Sequence, residues 1–373
     1  MNIQILHSHL LEFLQTNAKP EKIGEALALC GPAVERIHAL DTKDALYDIE
    51  ITTNRVDTAS AMGIAREAAA ILPQFGLKAE LVKTAQKPNL QLKGKSAPLT
   101  IKIDKTLNKR VMAIVMDVTV GESPQWMKAR LEAAGIRSLN NLIDITNYVM
   151  LEVGHPTHVF DYDAVASKKL VFRLSKKGEK ITTLDGKSYE LPGNDIVIDD
   201  GEGEIIDLPG IMGTKNSVVN NETKRIIFFV DNNDARLMRK TSLNLGIRTM
   251  AVQLNEKGVD AELALLALVR GVGLYQNFAA GKILSRVHDY YPKPYKPHSI
   301  KISHNEIVSK IGVTIEKPRI KKILEDLGFK TKLTGNNFDI IVPSTRAEDV
   351  TIGEDIVEEV ARIYGYHNLP SEI

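Results

Sequence analysis

Two groups of residues in this sequence have the types and the spacing that chemistry requires. The first is residues 144–163, DITNYVMLEVGHPTHVFDYD, with two histidines, a Thr-Asn pair, a proline and three aspartates around an apolar centre. Imidazole and hydroxyl groups can position water and transfer protons, whereas aspartates often cap turns. The residue types alone fit a catalytic site, a recognition surface or a well-formed turn.

The second group is a set of four carboxylates near the end of the sequence. Three of them recur at i, i+3 and i+4 and share one face of a predicted helix, and the fourth lies just upstream. Oxygen ligands of this kind suit Mg²⁺. Acidic residues near a helix start also interact favourably with the helix dipole and form ion pairs with arginines such as Arg346 and Arg362. From the spacing alone, this structural role is favoured over metal binding. The four residues are Asp349, Asp355, Glu358 and Glu359.

Composition limits the class of protein. The 373 residues are 43% hydrophobic and 25% charged, which is ordinary for a globular protein of two or three domains. No apolar run reaches the roughly 18 residues that span a bilayer, and the N-terminal sequence lacks a basic flank and a cleavage site. With a single cysteine, Cys30, these features predict a cytoplasmic protein that does not associate with membranes.

The net charge of +1 means that any nucleic-acid contact must come from local basic patches. Two lysine clusters, residues 167–170 and 175–180, flank a predicted strand and could contact phosphates. No aromatic residues alternate with the lysines to stack bases, and such clusters are typical of solvated turns. From residue 297 onward, 10 basic residues accompany 12 acidic ones, so DNA binding by this part is not expected.

The predicted elements give an α+β, multidomain fold. In residues 1–86, a small α+β domain, LYDIEITTNR alternates like a strand and SAMGIAREAAAILPQFG is a helix that stops near Pro73 and Gly76. Residues 87–288 mix strands such as RVMAIVMDVTV with helices such as PQWMKARLEAAGI, without the regular βαβ alternation. Residues 289–297 are proline-rich and are typical of an extended linker.

Residues 298–373 predict a small winged or swivel-like helical module. Ser303 and Glu306 have the spacing of a capping box at the start of one helix. Pro318 is placed to open a second helix and Gly328 to close it. A strand pair around LTGNN and the helix GEDIVEEVARIYGY follow.

Five blocks resemble, in order along the chain, the bacterial-type β subunit of phenylalanyl-tRNA synthetase. They are IEITTNRVDTASAMGIAREAAAI, RSLNNLIDITNYVMLEVGHPTHVFDYDAV, GIMG, ILEDLGF and VPSTRAEDVTIGEDIVEEVARIYGYHNLP. In this family the middle domain hydrolyses tyrosine mischarged onto tRNA(Phe), because a site for phenylalanine cannot always reject an analogue by binding alone. The resemblance implies binding of tRNA(Phe), an α2β2 assembly with the α subunit, and ATP-dependent aminoacylation by the whole complex.

The sequence departs from the family pattern in two places. VERIHALDTKDALYDIEITTNR leaves no room for the family's oligonucleotide-binding insertion. The catalytic-like and anticodon-binding domains of the family would follow the last block, beyond Ile373. We therefore expect an N-terminal fragment or a reduced β subunit, which should not aminoacylate alone because the family's active site for that reaction lies on the α subunit.

The resemblance also implies an editing pocket, one half of which matches. The matching positions are Arg137, Thr146, Asn147, Pro156 and His158, with Thr146 and His158 as candidate catalytic residues that could position a water. Across the pocket, Pro209 and Gly210 stand where the family has Ala-Gly, and Phe229 replaces a glutamate that reads the tyrosine hydroxyl. Phenylalanine cannot accept that hydroxyl's proton, so discrimination against phenylalanine should collapse.

The acidic group coincides in spacing with the family's Mg²⁺ site, which is shared with the α subunit, and the resemblance predicts Mg²⁺ there. The main hypothesis is the N-terminal part of a β subunit that serves subunit assembly and tRNA placement, with an editing site that is weakened or lost. The alternative is an active aminoacyl-tRNA deacylase with an altered pocket.

Overall fold

The computed structural model describes residues 1–40, 44–82, 90–91 and 95–369. The chain divides into two compact units. The first combines Met1–Thr84 with Tyr295–Ile373, and the second is Ala85–Pro294. None of the helices in the described residues is long and apolar enough to cross a membrane.

The N-terminal part of the first unit contains a three-stranded antiparallel sheet in the order β1-β4-β3 and a short β2-β5 pair. Its elements are β1 Asn2–Leu6, α1 His7–Leu10, β2 Leu14–Thr16, α2 Pro20–Cys30, β3 Ala33–Ala39, β4 Ala45–Glu50, α3 Ala61–Ile71 and β5 Ala79–Leu81. The Ser60 side chain caps α3 by accepting from the Gly63 N–H at 3.0 Å. A Cβ at Gly63 would lie 2.3 Å from the Asp57 carbonyl oxygen, so this close approach requires glycine.

The second unit contains two five-stranded sheets. Its elements are β6 Thr100–Lys102, β7 Asn108–Asp117, α4 Gln125–Ala133, α5 Asn141–Val153, β8 His158–Asp161, β9 Lys169–Leu174, β10 Lys180–Thr182, β11 Ser188–Glu190, β12 Ile196–Asp199, β13 Ile205–Leu208, β14 Met212–Gly213, β15 Arg225–Asn233, α6 Ala235–Leu245, α7 Met250–Asn255, α8 Leu263–Phe278, β16 Lys282–Ile283 and β17 His288–Tyr290. One sheet has the order β14-β13-β12-β9-β6, and the other has β16-β7-β15-β8 with β17 also paired to β7.

The core of the second unit draws apolar residues from both sheets. Phe229 of β15 packs against Phe160 of β8 and stacks on Phe172 of β9, with ring centroids 5.6 and 6.0 Å apart. On the other face of β15, Phe228 meets Tyr275 of α8 at 5.2 Å. The alternation of strand side chains therefore assigns Phe229 to the interior between the sheets and Phe228 to the helical layer.

The C-terminal part of the first unit has the three helices and the strand pair that the sequence predicts, and in addition the strand β18 before the first helix. They are β18 Ser299–Ser303, α9 His304–Ile311, α10 Lys317–Asp326, β19 Lys330–Thr334, β20 Asn337–Ile341 and α11 Gly353–Tyr364. The capping box of Ser303 and Glu306 is present at the start of α9. The three strands form an antiparallel sheet in the order β18-β20-β19.

The α+β fold is confirmed, and the structure adds an arrangement that the order of elements does not reveal. The first 84 residues and those from Tyr295 onward form one compact unit, although some 200 residues separate them. The predicted linker 289–297 begins inside β17, since Asp289 and Tyr290 pair with Met112 and Val111 of β7.

Candidate functional site

Asp144 in the polar stretch is a structural anchor. Its carboxylate accepts hydrogen bonds from Ser123 Oγ at 2.5 Å, Ser138 Oγ at 2.6 Å and the Leu139 N–H at 2.9 Å. The Asn140 side chain caps the first turn of α5. Asp144 thus ties α5 to the chain before it. This part of the polar stretch therefore serves the fold and not a ligand.

His155 and Asp161 are also held by protein partners. The ring of His155 is buried between the Pro156 carbonyl oxygen at 2.8 Å and Asn232 Oδ1 at 3.1 Å. Burial lowers the pKa of His155. Asp161 accepts from Thr223 Oγ1 at 2.6 Å and from the Asp163 N–H at 2.8 Å. These two residues fix the path of the chain into and out of β8.

The predicted residues on and before α5 are differently placed. The hydroxyl of Thr146 donates to the Ile143 carbonyl oxygen of its own helix at 2.7 Å, and the Thr146 carbonyl oxygen accepts from Thr157 Oγ1 at 3.1 Å. Asn147 is half-buried on α5, and Arg137 is exposed in the loop before the helix. In this arrangement the Thr146 hydroxyl serves the helix backbone.

His158 and Phe229 are brought together by strand pairing. Their Cα atoms are register partners on β8 and β15, so the two side chains point to the same face. The imidazole meets the Phe160 ring edge-on at 4.6 Å. A Cβ at Gly213 would lie 3.0 Å from His158 Cε1, so the backbone of the GIMG block touches the imidazole.

The turn that carries Pro209 and Gly210 is fastened to the start and end of α7. Thr249 Oγ1 donates to the Ile211 carbonyl oxygen at 2.8 Å, and Asn255 Nδ2 donates to the Gly210 carbonyl oxygen at 3.1 Å. Pro209 is buried, and Gly210 has a φ of +67°, in the left-handed region that favours glycine. The turn therefore depends on two side chains from the run TMAVQLN.

Two buried carboxylates that the sequence analysis missed lie in the same region, Asp207 on β13 and Asp231 on β15. Asp207 Oδ1 is 4.0 Å from His158 Nε2. Asp231 is two residues beyond Phe229 and accepts from Asn233 Nδ2. The available signal was an aspartate inside each of two apolar strands, EIIDLPG and IIFFVDNN.

Burial dominates the protonation of this group. It raises the pKa of Asp207 well above its ordinary value, with the charge of Asp231 adding to the effect. It raises the pKa of Asp231 to about 6 and lowers the pKa of His158 to about 4. Among the residues that the structure describes, no lysine or arginine pairs with either aspartate, so burial shifts both toward the neutral form, and only Asp231, with its pKa of about 6, is ionised at neutral pH.

The acidic group of the first unit lies around a cavity of about 440 Å³, together with Arg55, Arg346 and Arg362. Glu359 is buried and accepts from Arg346 at 2.8 and 2.9 Å and from Arg362 at 2.6 and 3.0 Å. Burial would raise the pKa of Glu359, but Arg362 and Arg346 outweigh it and lower the pKa well below its ordinary value.

Of the other three acidic residues, Glu358 lines the cavity, whereas Asp349 and Asp355 accept hydrogen bonds from different partners. Asp349 accepts from Arg346 and from Asn54 Nδ2, the latter at 2.8 Å. Asp355 accepts from the Thr351 and Ile352 N–H groups at 2.7 and 3.0 Å, which caps α11. No three of Asp349, Asp355, Glu358 and Glu359 bring ligand oxygens within 4.8 Å of one another. This arrangement does not fit a divalent cation held by the four residues, because arginines already neutralise Glu359 and Asp349.

Comparison with known proteins identifies a domain family in each of two regions of the chain. Residues 107–280 match the B3/4 domain, and residues 300–366 match the tRNA synthetase B5 domain. The phenylalanine–tRNA ligase β subunit of Carboxydothermus hydrogenoformans is 40% identical over 342 residues, which is 91% of this chain and 42% of that protein. The chain is a homologue of the phenylalanine–tRNA ligase β subunit. The β subunit of Clostridium acetobutylicum is 38% identical over 371 residues, 98% of this chain and 44% of that protein.

The β-subunit homologue spans about two fifths of the length of the curated relatives it matches. Its fold is that of an N-terminal fragment of the phenylalanyl-tRNA synthetase β subunit from Pyrococcus horikoshii, with a TM-score of 0.53 at 16% identity. That match covers 98% of this chain and 99% of the fragment. The homology is therefore to the N-terminal region of the β subunit.

Proposed function

We propose that this chain serves subunit assembly and tRNA(Phe) placement in a phenylalanine–tRNA ligase, with an editing site that is weakened or lost. The observation that carries the proposal is the position of Phe229. It is fully buried between Phe160 and Phe172 and in register with His158, so position 229 offers no acceptor to a tyrosine hydroxyl. The Thr146 hydroxyl, donated to its own helix, supports the same conclusion.

The decisive experiment is deacylation of Tyr-tRNA(Phe) by the purified chain. We expect tyrosine release no faster than in buffer, because a His158 with a pKa near 4 is a weak base and no ionised carboxylate assists it. The His158→Ala variant is the control, and it should match the unmodified chain. A rate above buffer that disappears in His158→Ala would refute the loss of editing.

The alternative function, a deacylase with an altered pocket, is favoured by one observation. The imidazole of His158 is 29% exposed and lies beside the buried Asp207, so an external ligand can reach this pair. Release of an amino acid other than tyrosine from tRNA, dependent on His158, would support it. We rank it second because the pair lacks a good proton acceptor at neutral pH.

Placement of tRNA is proposed to use the lysines of residues 176–180. Lys168 of the other cluster is engaged within the fold, since its Nζ lies 4.3 Å from the centre of the Tyr162 ring and donates to the Tyr162 carbonyl oxygen at 2.5 Å. Lys176, Lys177 and Lys180 are exposed beside β9 and β10. Exposed ammonium groups are free to approach phosphates, whereas Lys168 is not.

Assembly with an α subunit is proposed from the homology, in the α2β2 form that the family adopts. The Mg²⁺ site remains a prediction, and the arginine pairing of Glu359 and Asp349 does not support it in this chain. Titration of the chain with MgCl₂ by calorimetry, beside Glu358→Gln, tests whether this chain holds the ion without an α subunit. We expect no saturable heat in either protein.

A further inference from the structure

We propose that the outer face of α6 binds the phosphates of the single-stranded 3′ end of a tRNA and leads that end toward the exposed edge of His158. The inference rests on the proposed placement of tRNA(Phe), and it adds a second basic surface to the lysines of residues 176–180. The ligand class is single-stranded RNA, held by its backbone. This surface, called the α6 basic face below, consists of Arg236, Arg239 and Lys240.

Positive charge is concentrated along α6. Residues 235–248, ARLMRKTSLNLGIR, contain four basic residues and no acidic ones, although the net charge of the whole chain is only +1. The helix itself, Ala235–Leu245, occupies most of this run. A local excess of this kind is what a surface that follows a phosphate backbone requires.

The helix directs these charges to one side. Arg236, Arg239 and Lys240 recur at i, i+3 and i+4, so they share a face of α6. The side chains of Arg236 and Arg239 are 94% and 62% exposed, and Lys240 is exposed as well. Within the described part of the chain, no carboxylate pairs with Lys240. Met238 and Thr241, on the opposite face, are buried.

The two arginines of this face are only weakly engaged by the fold. Arg236 Nη2 lies 3.7 Å from Asp234 Oδ2, and Arg239 Nη1 lies 4.0 Å from Glu256 Oε1. Long ion pairs at exposed arginines contribute little, so a phosphate can replace them. Glu256 is moreover bound by Arg248 at 2.6 and 2.8 Å. Arg248 therefore neutralises the carboxylate that would otherwise repel a phosphate at Arg239.

A buried hydrogen-bond chain joins the α6 basic face to the lysines of residues 176–180. Thr241 Oγ1 donates to Asp195 Oδ1 at 2.8 Å, and Ser175 Oγ donates to Asp195 Oδ2 at 2.8 Å. Thr241 directly follows Lys240, and Ser175 directly precedes the lysines. The two basic segments therefore border each other and form one strip on the second unit.

The buried face of α6 relates this strip to His158. A Cβ at Gly210 would lie 2.9 Å from Met238 Cε, so α6 packs on the turn that carries Gly210. Gly213, where a Cβ would lie 3.0 Å from His158 Cε1, is three residues further, at most about 11 Å along the chain. The His158 imidazole is 29% exposed. A strand that lies on the α6 basic face therefore has its end within reach of His158.

The residue types favour recognition of phosphates over bases. Proteins that hold single strands by their bases stack those bases on aromatic side chains. Residues 235–248 contain no aromatic residue, and neither do residues 175–180. An arginine guanidinium, by contrast, can bind a phosphate through two hydrogen bonds. Binding should therefore depend strongly on salt and little on nucleotide sequence.

An anionic membrane is the less favoured partner. A helix that lies on a membrane surface inserts a row of large apolar side chains beside its basic residues. Of the α6 residues, all of which the structure describes, Leu243 is the one large apolar side chain that is exposed. One leucine does not make such a row, whereas three exposed cations suit a polyanion in solution.

The test measures binding of 5′-labelled tRNA(Phe) to the complete chain by fluorescence anisotropy at several KCl concentrations. With Arg236→Gln, Arg239→Gln and Lys240→Gln combined, the slope of log affinity against log salt should fall by about 0.7 per lost contact, so by about 2. At about 0.15 M salt this corresponds to about 4-fold weaker binding per contact and about 50-fold for three. Arg236→Gln alone should weaken binding about 4-fold.

The matched control removes three charges from α10 of the first unit, with Lys317→Gln, Lys321→Gln and Lys322→Gln. Lys321 and Lys322 lie 3.6 and 2.9 Å from carboxylates of their own helix, so this variant should keep the affinity for tRNA. Circular dichroism melts of both triple variants show whether they fold, and the exposure of the changed side chains predicts unchanged melting temperatures.

A tRNA that lacks its unpaired 3′ nucleotides locates the contact. This truncation should weaken binding to the unmodified chain and change little in the α6 triple variant, because groups that contact each other give non-additive losses. A loss from the α6 changes that persists in full on the truncated tRNA would contradict the inference. An α6 triple variant that binds intact tRNA as the unmodified chain does, or a loss no larger than in the α10 control, would also overturn it.

The same measurements separate this inference from the proposed function. Binding that depends on the lysines of residues 176–180 and not on α6 refutes this inference alone, whereas an unmodified chain that binds no tRNA refutes both. Sedimentation with phosphatidylserine vesicles covers the membrane. Vesicle binding that requires the α6 basic face, with tRNA affinity unchanged in the α6 triple variant, would assign the surface to lipid and overturn the inference.

Discussion

Arg362 on α11 is the side chain whose removal should most weaken the first unit. It donates to Glu67 of α3 at 2.7 and 3.3 Å, to Glu359 at 2.6 and 3.0 Å, and to the Cys30 carbonyl oxygen at 2.9 Å. Both carboxylates and the guanidinium are buried. The bonds to Glu67 and to Cys30 join residues 295 and 332 positions apart in the sequence, and they connect the two chain segments that form this unit.

The expected magnitude for Arg362→Met comes from the bonds that remain. Glu67 keeps Arg55 at 2.5 Å, and Glu359 keeps Arg346 at 2.8 Å. Removing one partner of a buried ion pair costs about 3–5 kcal/mol, and the remaining arginines place this change at the lower end, about 3 kcal/mol. Methionine retains most of the volume, so the loss is electrostatic and not a cavity effect.

The lowered pKa of Glu67 reflects the combined effect of Arg362 and Arg55 on this carboxylate. Burial raises that pKa, but Arg362 and Arg55 outweigh burial and lower it from 4.5 to about 2. A depressed carboxyl pKa contributes stability that is fully present above pH 4.5 and is lost as the pH falls toward 2. The difference of about 2.5 pH units corresponds to about 3 kcal/mol. Arg362→Met should therefore also flatten the loss of stability below pH 4.5.

The assay is urea unfolding of the complete chain at pH 7, followed by circular dichroism, with hydrogen exchange to assign the transition to the first unit. A loss of about 3 kcal/mol moves the midpoint by about 1.5 M at a typical slope of about 2 kcal/mol/M. Arg36→Met, at an exposed arginine of β3, is the matched control and should change little. A loss under about 1 kcal/mol for Arg362→Met, or an effect equal to the control, would refute the reasoning.

Three further predictions concern the second unit. Asp231→Asn should stabilise the protein by up to about 3 kcal/mol at pH 8 and have little effect below pH 4. Burial raises the pKa of Asp231 from 3.8 to about 6, so ionising this carboxyl costs folding stability as the pH rises between these values. Thermal melts at both pH values check this. Replacing the three lysines of residues 176–180 by glutamine should weaken tRNA binding. The slope of log affinity against log salt concentration should fall by up to about 0.9 for each phosphate contact that is lost. Lys168→Gln is the control and should leave the slope unchanged. Gly213→Ala should displace the His158 imidazole, which a Cβ would approach to 3.0 Å, and a change in the His158 ring signals by NMR without a matching change for His304 would show it.

The elements of the C-terminal module followed from local sequence. The capping box at Ser303 and the hairpin around LTGNN involve neighbours in the chain, so residue types and spacing are enough to predict them. The polar stretch of residues 144–163, for which the sequence left a site, a surface and a turn open, forms the helix α5 and the following strand β8. Whether its side chains serve the fold or a ligand was not predictable, because Asp144 and Asp161 find their partners at Ser123 and Thr223.

What the sequence alone determined is the family, through five ordered blocks, and the helix face shared by Asp355, Glu358 and Glu359. What only the tertiary structure decided is the charge environment of those blocks. Glu359 is neutralised by arginines from two directions, one of which also binds Glu67 from the other end of the chain. Asp207 meets His158 because strands from different sheets face each other across the core. The energy of a buried charge depends on its neighbours in space, and no local pattern specifies those neighbours.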